Sequence, residues 1–380
     1  MNKQLNFGML KSCAKFGKDI IFTRFYIRVF YLVIILFLSS CSHDIVLQHE
    51  SKLSSGSAFE TKYSMIFVIH GDGDYLYHDT SYNEYIADEE ALLNAKKVAM
   101  QNPNAEVFIF HQKPRNHFLF FFPLRDGEFY YYRNGQLLEN KLYWRDQEKS
   151  NLDFEVAAYH RFRKVTPNKL INIFLYFGHE VPEFGGAGYD ESYSDRTFNI
   201  DDLTNGLKGF ISDSSKFDLT ILSSCFGGTP YTIRKLGSLS QIIIASPANL
   251  HLSYFDLKPL QQLDLNIKDG DIISFAKYFA QQSFNKLSSN VQTEVSVVVY
   301  EAEKIQPFLK SVYGDYDSTL ISLKDMTHAI LATIEHCDCA DIPAYQISTM
   351  NNGVDVFYRP ARFGRSKNKL NDSGWECWKY

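Results

Sequence analysis

From residue 65 onward the chain alternates short, continuously apolar runs with stretches of helical spacing, a pattern that predicts a mostly parallel sheet covered by helices on both faces. Six runs carry it: MIFVI (65–69), EVFIF (106–110), INIFLYF (171–177), LTILSS (219–224), QIIIAS (241–246) and EVSVVVY (294–300). Their unbroken, β-branched character suits strands buried on both faces. Between them, residues 88–101, 152–165, 200–211, 229–237 and 271–287 have helical spacing. The first of these helices, around ADEEALLNAKKVAM, has acidic residues in its first turn and lysines later, as the helix dipole prefers. Residues 118–141 break the alternation with D-G and N-G turn signals between aromatic runs, which predicts an antiparallel meander at the sheet edge. Residues 301–312 have the spacing of one more amphipathic helix, and the aromatic, Gly-containing tail reads as an irregular C-terminal extension. The expected class is therefore α/β, with six strands, a meander excursion and an extension over 316–380.

The N-terminus reads as an address. Residues 1–28 carry six Lys and Arg, the apolar run VFYLVIILFL fills residues 29–38, and Ser39, Ser40 and Cys41 follow. Ten apolar residues fall short of a bilayer core, although residues 25–27 extend the stretch if Arg28 snorkels, so an uncleaved anchor remains an alternative. Leu38-Ser39-Ser40-Cys41 resembles a bacterial lipobox, which implies a signal peptide over 1–40 and acylation of Cys41. Acyl chains of that kind hold a protein firmly on a membrane. Ser42 after the Cys favours the outer membrane, and the polar stretch 41–62 reads as a tether.

Without its first 40 residues the chain holds 33 basic against 43 acidic side chains, too acidic for nucleic-acid binding through a general electrostatic footprint. Reactive groups of open α/β sheets lie beyond the carboxyl ends of the strands. There the third run ends in INIFLYFGHE, delivering His179, and the fourth in FDLTILSSCFGG, delivering Cys225. A thiol beside an imidazole can form the thiolate–imidazolium pair that attacks a carbonyl.

This arrangement resembles the caspase-like cysteine peptidases, particularly the clostripain-like family, in which one strand ends in the catalytic His and the next in the catalytic Cys. Weaker matches are the G-D-G-D turn at 71–74, IIIASPANLHLSYF after the fifth run and EAEKIQPFLKSV after the sixth. The resemblance implies a caspase-like three-layer sandwich over residues 63–315 and cleavage of polypeptides without a cofactor. It makes Cys225 the nucleophile and His179 the base or proton donor, with an oxyanion hole from the backbone N–H groups of Cys225 and Glu180. The family favours Gly where this chain has Glu180, so the hole is either tolerant of a carboxylate or impaired. Family members cut after Arg or Lys, often using an Asp two residues before the Cys, where this chain has Ser223. Asp256, or Asp190, Glu191 and Asp195 in the loop EFGGAGYDESYSD, are the substitutes on offer. The same loop offers oxygen ligands to calcium but lacks the spacing of a known calcium loop.

Two other readings stay open. The same fold, with an impaired site, serves as a binding or scaffold lipoprotein. Alternatively, His70-Gly71 and S-S-C-F-G-G resemble the oxyanion loop and nucleophile elbow of an α/β-hydrolase using Cys, which needs a downstream His such as His251 or His328. Near the C-terminus, His336, Cys337 and Cys339 form H-C-D-C without a second spaced pair, so no metal is expected. A disulfide from Cys337 or Cys339 to Cys377 is the expectation in an oxidising envelope compartment.

Overall fold

The computed structural model describes residues 60–307, 309, 335–338 and 353–379, apart from 80, 120, 146–150, 165–169, 184–189, 197, 212–214, 252–253, 269, 371 and 373. The expected leader, the acylated Cys41, most of the tether, His328 and Cys339 lie outside the described residues. Residues 59–380 form one compact unit that contains the whole sheet and both apolar layers, and a unit with its own core is expected to fold without residues 1–58.

All six expected strands form, within two residues of their predicted bounds. They are β1 (Tyr63–His70), β4 (Ala105–Gln112), β9 (Ile171–Phe177), β10 (Phe217–Ser223), β11 (Ser240–Ala245) and β12 (Val295–Glu301). A short hairpin, β2 (Leu76–His78) and β3 (Glu84–Ile86), and a ribbon tip, β5 (His117–Phe118) and β6 (Phe122–Pro123), stand outside the main sheet. That sheet has nine strands rather than six. The meander supplies β7 (Gly127–Arg133) and β8 (Gln136–Tyr143), and the tail supplies β14 (Val354–Arg359). The order is β14-β12-β11-β10-β9-β1-β4-β7-β8. The five central strands are parallel; β12, β14, β7 and β8 join antiparallel at the two flanks. The C-terminal residues are thus part of the domain: β14 closes one edge, and Trp375 is fully buried against Tyr300.

Alternate side chains of each central strand feed opposite layers, as the two-residue strand period requires. Ile66 and Val68 pack with Leu203, Leu207, Ile233 and Leu236 on one face, whereas Met65, Phe67 and Ile69 pack with Ala95, Val98, Phe275 and Phe279 on the other. The helices concerned are α1 (Ala87–Gln101), α2 (Asp153–Phe162), α3 (Ile200–Lys208), α4 (Pro230–Gly237) and α5 (Ile272–Asn290). Three of these five helices have a locally encoded start. Asn199 and Asp202 form a capping box on α3, Thr229 caps α4 with Pro230 at its first position, and Asp271 caps α5. The result is a three-layer sandwich in which β1, β9 and β10 present their carboxyl ends along one edge.

A third two-stranded pair, β13 (Glu335–Asp338) and β15 (Glu376–Lys379), sets the backbone of Cys337 opposite that of Cys377.

Candidate active site

β9 and β10 pair in register with Phe177 beside Ser223, and each chain runs two residues further, to His179 and Cys225. The equal offset brings both expected reactive residues to one edge. Gly178 donates its N–H to Ser223 O at 3.2 Å, extending the pairing past the last strand residue. A Cβ there would stand 2.5 Å from the Tyr176 hydroxyl, so only glycine fits between strand and histidine.

His179 is held from three sides. Its backbone N–H donates to Tyr75 Oη at 3.1 Å, its ring lies 4.5 Å from the Tyr75 ring between centroids, and the ring bonds the backbone of Asp74. A backbone partner on one ring nitrogen fixes the imidazole's orientation. Burial, then the neighbouring His70, lowers its pKa and keeps it neutral near pH 7. Tyr75 Oη also lies 3.0 Å from His70 Nδ1, and His70 Nε2 lies 3.6 Å from Asp190. His70 therefore stands behind His179, as a support.

The turn after Cys225 is laced to the segment that follows β11. Phe226 N–H donates to Ala248 O (3.1 Å) and Gly228 N–H to Ser246 O (2.9 Å). A Cβ on Gly228 would meet the Pro247 backbone at 2.7 Å. This lacing puts Asn249 and Leu250 against the thiol: Cys225 Sγ is 3.2 Å from Asn249 Oδ1 and from Leu250 O, and accepts the Leu250 N–H at 3.3 Å. The described hydrogen bonds of Cys225 go to these two residues and not to His179. Burial, and to a smaller degree the charge of Glu180, push the thiol up to about 11. The resting pair is thus a neutral thiol and a neutral imidazole.

Glu180 is mostly buried, and burial followed by the charge of Glu183 pushes its carboxyl up to about 7. The folded value lies above the ordinary one, so the native state holds an extra proton between the two, and stability falls as pH rises across that window. Glu180→Gln is expected to match the wild type in urea unfolding at pH 4 and to exceed it by about 1–3 kcal/mol at pH 8. The same variant should alkylate several-fold faster at Cys225 above pH 7, because the charge that raises the thiol is gone. Equal stabilities at both pH values would show that Glu180 ionises freely.

The expected specificity residues are engaged elsewhere. Ser223 is buried, and its Oγ accepts the Phe255 N–H at 3.3 Å. It lines a cavity of about 20 Å³ with Tyr254 and Phe255, room for one water and not for a lysine or arginine side chain. The Asp256 carboxylate accepts from Lys258 N–H in its own turn. Asp190 is committed to Arg145 (3.0 Å) and Arg196 (2.5 Å), which occupies a carboxylate counted among the calcium-loop oxygens; Glu191 and Asp195 lie beside it in the chain. Among the described residues no cluster of three or more His, Cys, Asp or Glu is arranged to hold a metal. The hydrolase elbow is not matched either: the left-handed residue is Phe226 (φ 50°) rather than the nucleophile position, and His251 packs edge-on against Tyr77.

Sequence reasoning missed the buried cluster behind the edge. Arg145, after β8, contacts Asp72 after β1, Asp126 before β7 and Asp190. Ser192 Oγ and Tyr193 Oη donate to Asp72 and Asp126. All three carboxylates and the guanidinium are less than a tenth exposed. Burial works against the Asp190 charge, but His70, Asp72 and Arg145 hold its pKa low.

No family model and no curated protein matches the sequence. Solved structures do match the fold. An inactive zymogen of a C11 protease from Parabacteroides distasonis superposes with a TM-score of 0.54 at 11% identity, covering 84% of this chain and 92% of that one. A secreted C11 cysteine protease from Bacteroides thetaiotaomicron gives 0.53 at 11% identity, over 83% and 93%. The fold of this chain is that of the C11, clostripain-like cysteine proteases.

Proposed function

We propose that the chain is a cysteine endopeptidase in which Cys225 attacks the scissile carbonyl and His179 first takes the thiol proton, then delivers it to the leaving amine. The observation that carries this reading is the equal, two-residue offset of His179 and Cys225 beyond the paired Phe177 and Ser223. The Asp74 backbone on the His179 ring supplies the orienting third group that a nucleophile–base pair needs. The backbone N–H groups of Cys225 and Glu180 are the proposed oxyanion donors. Attack requires the thiol to leave Asn249 and Leu250 for the imidazole, so the described state is a latent one. Water then hydrolyses the thioester, with His179 as base.

Residues 60–380, as wild type and Cys225→Ala, incubated with a peptide library varied before the scissile bond, provide the test. Cleavage by the wild type alone is the expected result. The preference for basic residues implied by the resemblance would rest on Glu180, the acidic group that acts on the thiol, and the library reads it directly. The raised thiol supports a second reading, a non-catalytic binding or scaffold protein on the same fold. A folded wild type that cleaves nothing, and whose Cys225 a peptide-directed electrophile labels no faster than iodoacetamide does, would establish it.

Two further proposals rest on the sequence. Acylation at Cys41 would place the protein on the bacterial envelope, in the outer membrane; loss of labelled-fatty-acid incorporation in Cys41→Ser tests it. Among the described residues no helix is long and apolar enough to cross a membrane. The opposed backbones of Cys337 and Cys377 support a cross-strand disulfide between them, which non-reducing peptide mapping would detect.

A further inference from the structure

The antiparallel pair β4 and β7 does not end at the sheet. Beyond the last ladder pair, Gln112 beside Gly127, Lys113 N–H donates to Asp126 O (2.7 Å) and Leu124 N–H to Asn116 O (2.7 Å). Then β5 and β6 pair His117 with Pro123 and Phe118 with Phe122, and Leu119 turns the chain with φ 50°. A ribbon therefore projects past the carboxyl end of β4, the edge that also carries His179 and Cys225. It reaches at most about 20 Å beyond Gln112.

The tip of this ribbon reads HFLFFFPL over residues 117–124, and its described residues, 117–119 and 121–124, are displayed to solvent. Phe121 is 82% exposed, Phe122 61%, Leu119 53% and Phe118 51%. Leu142 and Trp144, at the end of β8, are half exposed too, and Arg125 Nη1 donates to Leu142 O at 3.2 Å, which joins the two apolar stretches through the ribbon base. Soluble proteins rarely show so continuous an apolar surface without a partner for it.

The charge around the tip names the partner. Residues 113–125 contain Lys113, Arg115 and Arg125 and no carboxylate, in a chain with more acidic than basic residues; Lys113 is paired with Glu128 at 2.7 Å, which leaves the two arginines as the charge of the tip. Arg115 and Arg125 are exposed at the base of the tip, while Asp126, the next acidic residue, is buried against Arg145. A projecting apolar tip with two arginines at its base and Trp144 near it has the chemistry of an element that enters the headgroup and upper acyl region of an anionic bilayer. A peptide-docking surface would instead be concave.

We propose that residues 117–124 insert into an anionic lipid surface, independently of any acyl group on Cys41, and turn the His179–Cys225 edge toward that surface. The inference needs no catalytic activity, so it stands or falls apart from the peptidase reading. Residues 60–380 are floated with vesicles of phosphatidylcholine alone and of phosphatidylcholine with phosphatidylglycerol, as wild type, as Phe121→Asp/Phe122→Asp and as Arg115→Glu/Arg125→Glu. The wild type is expected to float with the anionic vesicles and weakly with the neutral ones. The phenylalanine variant should partition about a hundredfold less, since each buried phenylalanine contributes roughly tenfold or more. The arginine variant should lose the preference for phosphatidylglycerol. Circular dichroism and the melting transition should be unchanged in both, as the replaced side chains are exposed. Absence of wild-type flotation on anionic vesicles would overturn the proposal, as would equal flotation of the phenylalanine variant.

Discussion

Replacing Arg145 by leucine is expected to destabilise the protein by about 3–5 kcal/mol, the cost of leaving Asp72 and Asp126 buried without their counter-charge while Asp190 keeps Arg196. That is a large share of the total stability of an ordinary domain. Arg145 is 5% exposed and meets Asp72, Asp126 and Asp190, which are themselves 0%, 1% and 8% exposed. A lysine should not rescue, because a single ammonium cannot span three carboxylates as a planar guanidinium does. The mechanism leaves a signature in pH. In Arg145→Leu the unpaired carboxylates hold protons in the folded state that the unfolded chain releases, so the deficit should shrink as pH falls from 7 toward 5. Urea unfolding at both values checks this. A loss below about 1 kcal/mol, or one independent of pH, would mean that the cluster is solvated in solution.

His179→Ala and Cys225→Ala are each expected to lower kcat/KM for a cleaved peptide by about a thousandfold or more, with the melting transition kept. Because nucleophile and base act as a unit, the double variant should be no worse than Cys225→Ala alone. Tyr75→Phe should have a smaller effect, since it keeps the ring against His179 and removes only the hydroxyl that accepts the His179 N–H and meets His70. The resting thiol near 11 predicts slow alkylation as well. Its thiolate fraction near pH 7 is about a hundredfold below that of an ordinary cysteine, partly offset by greater nucleophilicity, for a net rate about tenfold lower. Substrate that draws the sulfur off Asn249 and Leu250 should restore reactivity, which a peptide-directed electrophile would report against iodoacetamide. Full activity in His179→Ala would remove the pair as the catalytic unit.

The central strands and their helices were legible because each is a local signal: a buried parallel strand must be apolar throughout, and a helix carries its own spacing of apolar residues. The flanks were not. β14 contains VDVFYR, whose alternation is ordinary for an edge strand, and only its pairing with β12 makes it part of the sheet. His179 and Cys225 were legible for a related reason, since both follow apolar runs directly and the fold class assigns that edge to chemistry. Their surroundings depend on partners distant in sequence. Asn249 and Leu250 reach the thiol through a loop crossing, and Arg145 meets Asp72 from 73 positions away. Ser223 stands two residues before Cys225 in sequence, but its side chain is buried and bonds Phe255, a partner 32 positions away that no local pattern announces. The same blindness hid the ribbon tip, since nothing in its aromatic run shows that the main sheet ends before it.

The junction between β12 and β14 has one more consequence. These strands are adjacent and antiparallel, with Val295–Tyr300 matched to residues 354–359, yet more than fifty residues of chain separate them in sequence. A break in the backbone anywhere between residues 310 and 352 would divide the polypeptide without dividing the sheet: the smaller piece would stay bound by its strand and by Trp375 against Tyr300. On a denaturing gel such a molecule is two bands; in native chromatography it is one. Two separately expressed pieces, cut at that point, should accordingly find each other and reconstitute a single folded body.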